Sequence, residues 1–145
     1  MKKRLLYALL CPGMPLLVKA QKIPDSIALT KTRNVATTQY GIGSFYHNKF
    51  EGRLTACGDT FTQAKLTAAS NTFPLGSWVR VTNMRNKKTV VLRINDRMHH
   101  SNPRLIDLSR TAAKKLGYTG HGLTRVKVKY LGKKKPKEAG RDKPK

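Results

Sequence analysis

Acidic residues are scarce in this chain. Its 145 residues hold 7 Asp and Glu against 30 Lys and Arg, for a formal net charge of +23 at pH 7. So one-signed a surface calls for an anionic partner: nucleic acid, a membrane surface or an acidic polymer outside the cell. Cysteine is nearly absent as well. Only Cys11 and Cys57 occur, which fits poorly with a disulfide scaffold, and no Cys/His cluster has metal-ligand spacing. The longest apolar stretch, Leu5 to Val18, is interrupted by Pro12, Gly13 and Pro15, too short and broken for a membrane span. No Gly-rich phosphate loop follows a strand pattern, and no Ser/His/Asp elbow is present. Neither a metal nor a cofactor is therefore expected. The length allows one ordinary domain with tails, and a monomer is expected.

The two ends have distinct compositions. Residues 1–20, MKKRLLYALLCPGMPLLVKA, begin with Lys2, Lys3 and Arg4, continue through an apolar stretch and end on V-K-A. This is the layout of a secretory signal peptide; an anchor helix or a lipid attachment at Cys11 fits it less well. Cleavage after Ala20 removes four basic residues and no acid, and leaves Cys57 as a lone thiol. Cys57 is then either a small buried apolar residue or a free thiol. Export, to the periplasm or cell envelope, argues against a nucleic-acid partner, and no nucleic-acid motif is present. An anionic envelope polymer is the expected partner. Residues 21–39 are polar and aperiodic and read as a spacer. Residues 132–145, GKKKPKEAGRDKPK, have no apolar face and read as a disordered basic tail, acting either in solubility or as an electrostatic tether.

Between them, residues 40–131 carry the structure-forming pattern, mostly with period two. Trp78 to Thr82 and Thr89 to Asn95 read as two strands of a hairpin joined by the polar turn NMRNKK. Val126, Val128 and Tyr130 alternate with Arg125, Lys127 and Lys129 in a last strand. Tyr40 to Tyr46 reads as a first strand, in which Gly41 and Gly43 permit close backbone approach or a bulge. One helix is expected, capped by Ser109, running through Thr111 to Leu116 and stopped by Gly117. Short strands with one short helix predict a mainly β, closed or partly closed barrel.

The chemistry rests on carboxylates. The core has four acids: Glu51, Asp59, Asp96 and Asp107. Asp96 ends a strand in LRINDRMHH, between Arg93 and Arg97. Taken alone, an acid so placed accepts backbone N–H groups and pairs with its arginines. A carboxyl that gives and takes a proton is also what glycosidic bond cleavage needs. Asp107, ahead of the helix, reads as a packing residue, and Glu51 as a solvated one. On extended backbone His99 and His100 point to opposite sides. Trp78, Tyr46 and Phe45 are core residues or platforms for a sugar ring, and the place of Trp78 in a strand favours core for it.

The order of the motifs GIGSFYHNKFEGRLTACGDTF, LTAASNTFPLGSWVRVTNMRNKKTVVLRINDR and RLIDLSRTAAKKLG resembles the rare lipoprotein A (RlpA) family, over Tyr40 to Leu131. The resemblance implies a six-stranded double-psi β-barrel with one or two short helices. It also implies an exported lytic transglycosylase, a lyase that cleaves the MurNAc–GlcNAc β-1,4 bond of peptide-poor peptidoglycan glycan strands and leaves 1,6-anhydro ends. The family's I-N-D-R aspartate falls on Asp96, and its second acid falls on Asp59. A family histidine falls on Ser70, which carries no titrating group near neutrality. The family's Gly-Pro after I-N-D-R is replaced by Met98 and His99. On this basis Asp96 and Asp59 are the expected catalytic residues. Ser70, Asn95, Arg97, Arg93 and Tyr46 are expected to bind substrate. The alternative is a peptidoglycan-binding barrel with little or no catalysis.

Overall fold

The computed structural model describes residues 37–137. The expected signal peptide, most of the spacer and the last eight residues of the basic tail lie outside them. Among the described residues, no helix is long and apolar enough to cross a membrane.

Among the described residues six strands form the fold: β1 (Thr38–Phe45), β2 (Thr67–Ala69), β3 (Trp78–Asn83), β4 (Thr89–Asp96), β5 (Ile106–Leu108) and β6 (Thr124–Gly132). One helix, α1 (Arg110–Leu116), and a single 3-10 turn (Asn48–Phe50) complete it. The strands close into a barrel in the order β1-β5-β2-β4-β3-β6. The β1–β5 and β2–β4 pairs are parallel, and the other four are antiparallel. This is the six-stranded mixed barrel that the family resemblance implies. Closure leaves no strand edge open for pairing with another chain.

The interior follows from alternation. In β3, Val79, Val81 and Asn83 are buried while Trp78, Arg80 and Thr82 face outward. In β4, Val90, Leu92 and Ile94 are buried. Val126 and Val128 of β6, Ile106 and Leu108 of β5, and Phe73 meet them. Trp78, expected in the core, is instead half-buried on the outer face. The same period of two that buries Val79 and Val81 turns it out with Arg80. Phe45 does pack against the core, with its ring edge-on to Tyr118 at a centroid distance of 5.9 Å.

The helix is bounded as its sequence predicts. The Ser109 hydroxyl accepts from Ala112 N, and Gly117 ends the helix at φ 69°. The NMRNKK turn does more than reverse the chain. The Asn83 and Asn86 side-chain amides each donate to Leu116 O at 2.9 Å, satisfying the helix C-terminus from the far end of the hairpin. The strands also run past their expected limits. Thr38 and Gln39 pair with Lys129 and Val128, so β1 takes up two residues of the predicted spacer, and β6 reaches Gly132. Threonine-rich polar sequence supports a strand when a partner is already in place. Strands β2 and β5, three residues each, are too short to show any period.

At Gly41 the barrel wall leaves no room for a side chain. A Cβ there would lie 2.6 Å from Leu105 Cβ. We expect Gly41→Ala to cost about 1–3 kcal/mol by overpacking. Thermal unfolding should show this as a fall of roughly 4–8 °C in Tm per kcal/mol. An unchanged Tm would mean that the Leu105 segment shifts freely.

Candidate functional site

Asp96 owes its position to a bulge. Strand β4 pairs with β2 as Ala68 to Ile94 and Ala69 to Asp96, so Asn95 is one residue more than β2 can match. Along β4 the inward positions are 90, 92 and 94, and regular alternation would send residue 96 into the apolar interior. The extra residue inverts the phase: Asn95 is buried and Asp96 is half-buried at the barrel surface. Burying a lone carboxylate would be costly, so the bulge both permits the acid and aims it.

Three donors converge on the Asp96 carboxylate. Ala56 N and Arg97 N donate to Oδ1 at 2.9 and 2.8 Å, and the Tyr46 hydroxyl donates to Oδ2 at 2.7 Å. Tyr46 follows β1, and its N–H donates to Leu108 O at 2.9 Å. Its ring packs on Phe61 and Phe50 with centroid distances of 4.4 and 5.5 Å. Burial, with the adjacent Asp96 carboxylate, pushes the Tyr46 phenol well above its ordinary pKa, so it stays protonated and remains a donor. Ala56 belongs to a tight loop, closed by the Leu54–Thr60 bridge and by Thr55 N donating to Asp59 O at 2.8 Å. Cys57 N donates to Asn95 O at 3.0 Å, which stitches the loop to the bulge. The Cys57 thiol is free and half-buried.

The other end of this loop carries Asp59. Its carboxylate meets Arg93 at 3.2 Å, with the two side chains 44% and 40% exposed. An ion pair so exposed contributes about 0–1 kcal/mol, so it orders charge at the surface rather than holding the fold. The pair lines a groove of about 420 Å³ together with Asn95, Trp78, Lys65 and Lys135. The two expected catalytic acids therefore flank one short loop, Asp96 bound to its Ala56 and Asp59 facing the groove. They share no hydrogen-bond partner among the described residues.

Several expectations about neighbours change. Arg93 pairs with Asp59 and not with Asp96. The Arg97 guanidinium turns away to the carbonyls of Ser70 and Phe73, so only its backbone reaches Asp96. Ser70 is fully buried, donating to Leu105 O at 2.8 Å and accepting from Thr72 N at 3.2 Å. Its hydroxyl holds the 70–73 turn to the Leu105 segment, beyond the reach of a sugar in this conformation. His99 and His100 do not point to opposite sides. They sit where the chain leaves β4 and turns, and their rings lie 4.3 Å apart. Nδ1 of His99 bonds to Ser101 Oγ at 2.7 Å. Asp107 has the structural part expected of it: it takes two bonds from Arg104, at 2.8 and 2.9 Å, and one from Ser44 at 2.6 Å, tying β5 to β1.

Sequence reading missed the Ala56 N–H, because a backbone donor has no residue signature. It also missed Lys65 and Lys135, whose positions look like ordinary surface charge. A larger hollow of about 740 Å³ lies on the outer side of β1 and β6, beside Tyr40, Ile42, Leu123, Arg85 and Arg125. Among the described residues no carboxylate lines it.

Residues 38–128 match the family model described as lytic transglycolase. Over 104 residues the chain is 44% identical to the endolytic peptidoglycan transglycosylase RlpA of Haemophilus influenzae, covering 70% of this chain and 36% of that protein. Over 91 residues it is 50% identical to the protein of the same name from Pasteurella multocida, covering 63% and 31%. The chain thus spans about a third of the length of these two relatives. Among solved structures, the Streptomyces papain inhibitor is similar with a TM-score of 0.55 at 22% identity, over 68% of this chain and 97% of that one, a likeness of fold alone. The family match runs from β1 into β6 and takes in the bulge, its aspartate and the loop that holds it, and the chain belongs to the RlpA-type lytic transglycolase family.

Proposed function

We propose that this chain is an endolytic peptidoglycan lytic transglycosylase, a lyase that cuts MurNAc–GlcNAc β-1,4 bonds of peptide-poor glycan strands. The observation that carries the reading is Asp96, a carboxyl brought out of the barrel by a bulge and fixed by Tyr46 and two backbone amides. A group that transfers protons must be held in place while it changes charge, and three donors on fixed elements do this. The relatives named as endolytic peptidoglycan transglycosylases support the same reaction.

In the proposed reaction Asp96 gives its proton to the departing O4 of GlcNAc. The C6 hydroxyl of MurNAc then attacks its own anomeric carbon and returns a proton to Asp96. No water is consumed, and the product carries a 1,6-anhydro end. One carboxyl suffices because the nucleophile belongs to the substrate. Asp59, with Arg93, assists from the groove by facing the positive charge that develops on the sugar ring. Tyr46 is a positioning residue. Ser70 and the Arg97 side chain, both engaged within the fold, drop out of the substrate contacts, and Asn95 retains a place in the groove wall. The excess of basic residues suits an anionic envelope polymer, and an exported chain acting in the cell envelope follows from the substrate.

The competing reading, a barrel that binds glycan without cleaving it, draws on Ser70, whose buried hydroxyl supplies no titrating group where the family has histidine. Purified protein incubated with amidase-treated glycan strands separates the two. We expect 1,6-anhydro products by mass spectrometry; strands that bind but gain no anhydro ends at any pH from 4 to 8 would leave only the binding module. Asp96→Asn should lower the rate by about 10²–10⁴-fold with Tm retained. Tyr46→Phe removes one bond to a charged acceptor, a loss of about 1.5–3 kcal/mol, and should slow turnover by roughly ten- to a hundredfold while KM changes little. An equal effect on KM would make Tyr46 a substrate contact instead.

A further inference from the structure

The groove beside the Asp59–Arg93 pair has more in it than acid and base. Trp78, the single tryptophan of the chain, forms part of its wall. It starts β3, faces outward, and lies opposite Arg93 on one side and Gly132 on the other. Gly132 ends β6 at φ 101°, and the chain beyond it places Lys135 Nζ 5.8 Å from the centroid of the indole ring. Lys65 lines the same groove. Three cations and one anion thus border it, and the anion, Asp59, already has Arg93 as its partner.

We propose that this groove is a subsite for an acidic sugar: Trp78 stacks on a pyranose ring, and Lys65 and Lys135 receive that sugar's free carboxylate. A flat aromatic face packs against the apolar C–H face of a pyranose, which an aliphatic wall would contact less specifically. Two lysines lining the same groove give charge where an uncharged sugar would need none. The contact between Lys135 and Trp78 is a cation–π pair at a solvated site, weak enough to be exchanged for a carboxylate when a sugar takes the ring face. The inference rests on the reading of the groove as the place where glycan binds. It adds the chemical feature recognised there: the lactyl carboxylate of MurNAc, free on stripped strands and converted to an uncharged amide wherever a stem peptide is attached. Strands bearing peptide lose the charge that the lysines meet.

Because Trp78 is the only tryptophan, its emission reports the groove directly. The test titrates the full chain with peptide-free MurNAc–GlcNAc strands and with chitooligosaccharides of equal length, which have the rings but no carboxylate. Both should shift the emission, and the acidic strands should bind roughly tenfold more tightly, the scale of one or two charge-assisted contacts at an exposed site. Lys65→Gln with Lys135→Gln should erase that preference, with chitooligosaccharides still shifting the emission. Lys87→Gln with Lys88→Gln, at the far end of the β3–β4 hairpin, should keep it. Trp78→Leu, followed by calorimetry with Tm as the check on folding, should weaken both ligands. Equal affinity for the two ligands overturns the subsite, and so does an equal loss of preference in the Lys87/Lys88 variant, which would mean general attraction to a basic protein. Anhydro products without the charge preference would keep the transglycosylase and remove the subsite. The preference without anhydro products would keep the subsite and remove the reaction.

Discussion

Asn95 is one residue too many for the β2–β4 pairing, and the barrel absorbs it at the last turn of β4. The rest of the site depends on this. Without the extra residue, Asp96 would follow Val90, Leu92 and Ile94 inward, and a carboxylate would enter an apolar interior with nothing to receive it. With it, the strand changes phase, the acid emerges, and Asn95 O becomes the acceptor that holds the 54–60 loop in place. The same loop then returns a donor, Ala56 N, to the acid. A bulge is therefore both the reason the residue can be there and the reason its surroundings are fixed.

Scarcity of acid gives each carboxylate of the core a defined task. Asp107 joins β5 to β1 through Arg104 and Ser44. Asp59 holds Arg93 at the groove, and Asp96 is held by Tyr46 and two amides. Glu51 accepts from Gln63 N at 2.8 Å, and bonds from Thr62 and Gln63 hold its carboxyl below the usual range. In a chain of net charge +23, an acid in water would be surrounded by cations in any case. Each of these four acids also has a hydrogen-bond partner in the fold, which general attraction would not require.

Much of the barrel was legible in the sequence because its longer strands are half-buried. Alternation marked the β3–β4 hairpin and β6, and Ser109 and Gly117 marked the two ends of α1. The failures have specific causes. Strands β2 and β5 hold three residues each, less than two periods of alternation. The core reading of Trp78 rests on its place in a strand, although the valines beside it already fix the opposite face. Opposed side chains at His99 and His100 require strand geometry, and β4 ends before them. Adjacency in sequence puts Arg93 and Arg97 around Asp96, but neighbouring side chains on a strand diverge, and each finds a partner elsewhere.

The sequence by itself determined the class of fold and the family, and it singled out the carboxyl at the end of β4. These depend on period, on turn and cap residues, and on short motifs in a fixed order, all of which are local. Only the tertiary structure decided which groups meet. The contact between Tyr46 and Asp96 spans fifty positions, the one between Trp78 and Lys135 spans fifty-seven, and the burial of Ser70 depends on a carbonyl at Leu105. Contacts at such separations follow from barrel closure and register, and a single extra residue in one strand changes which face every following side chain occupies.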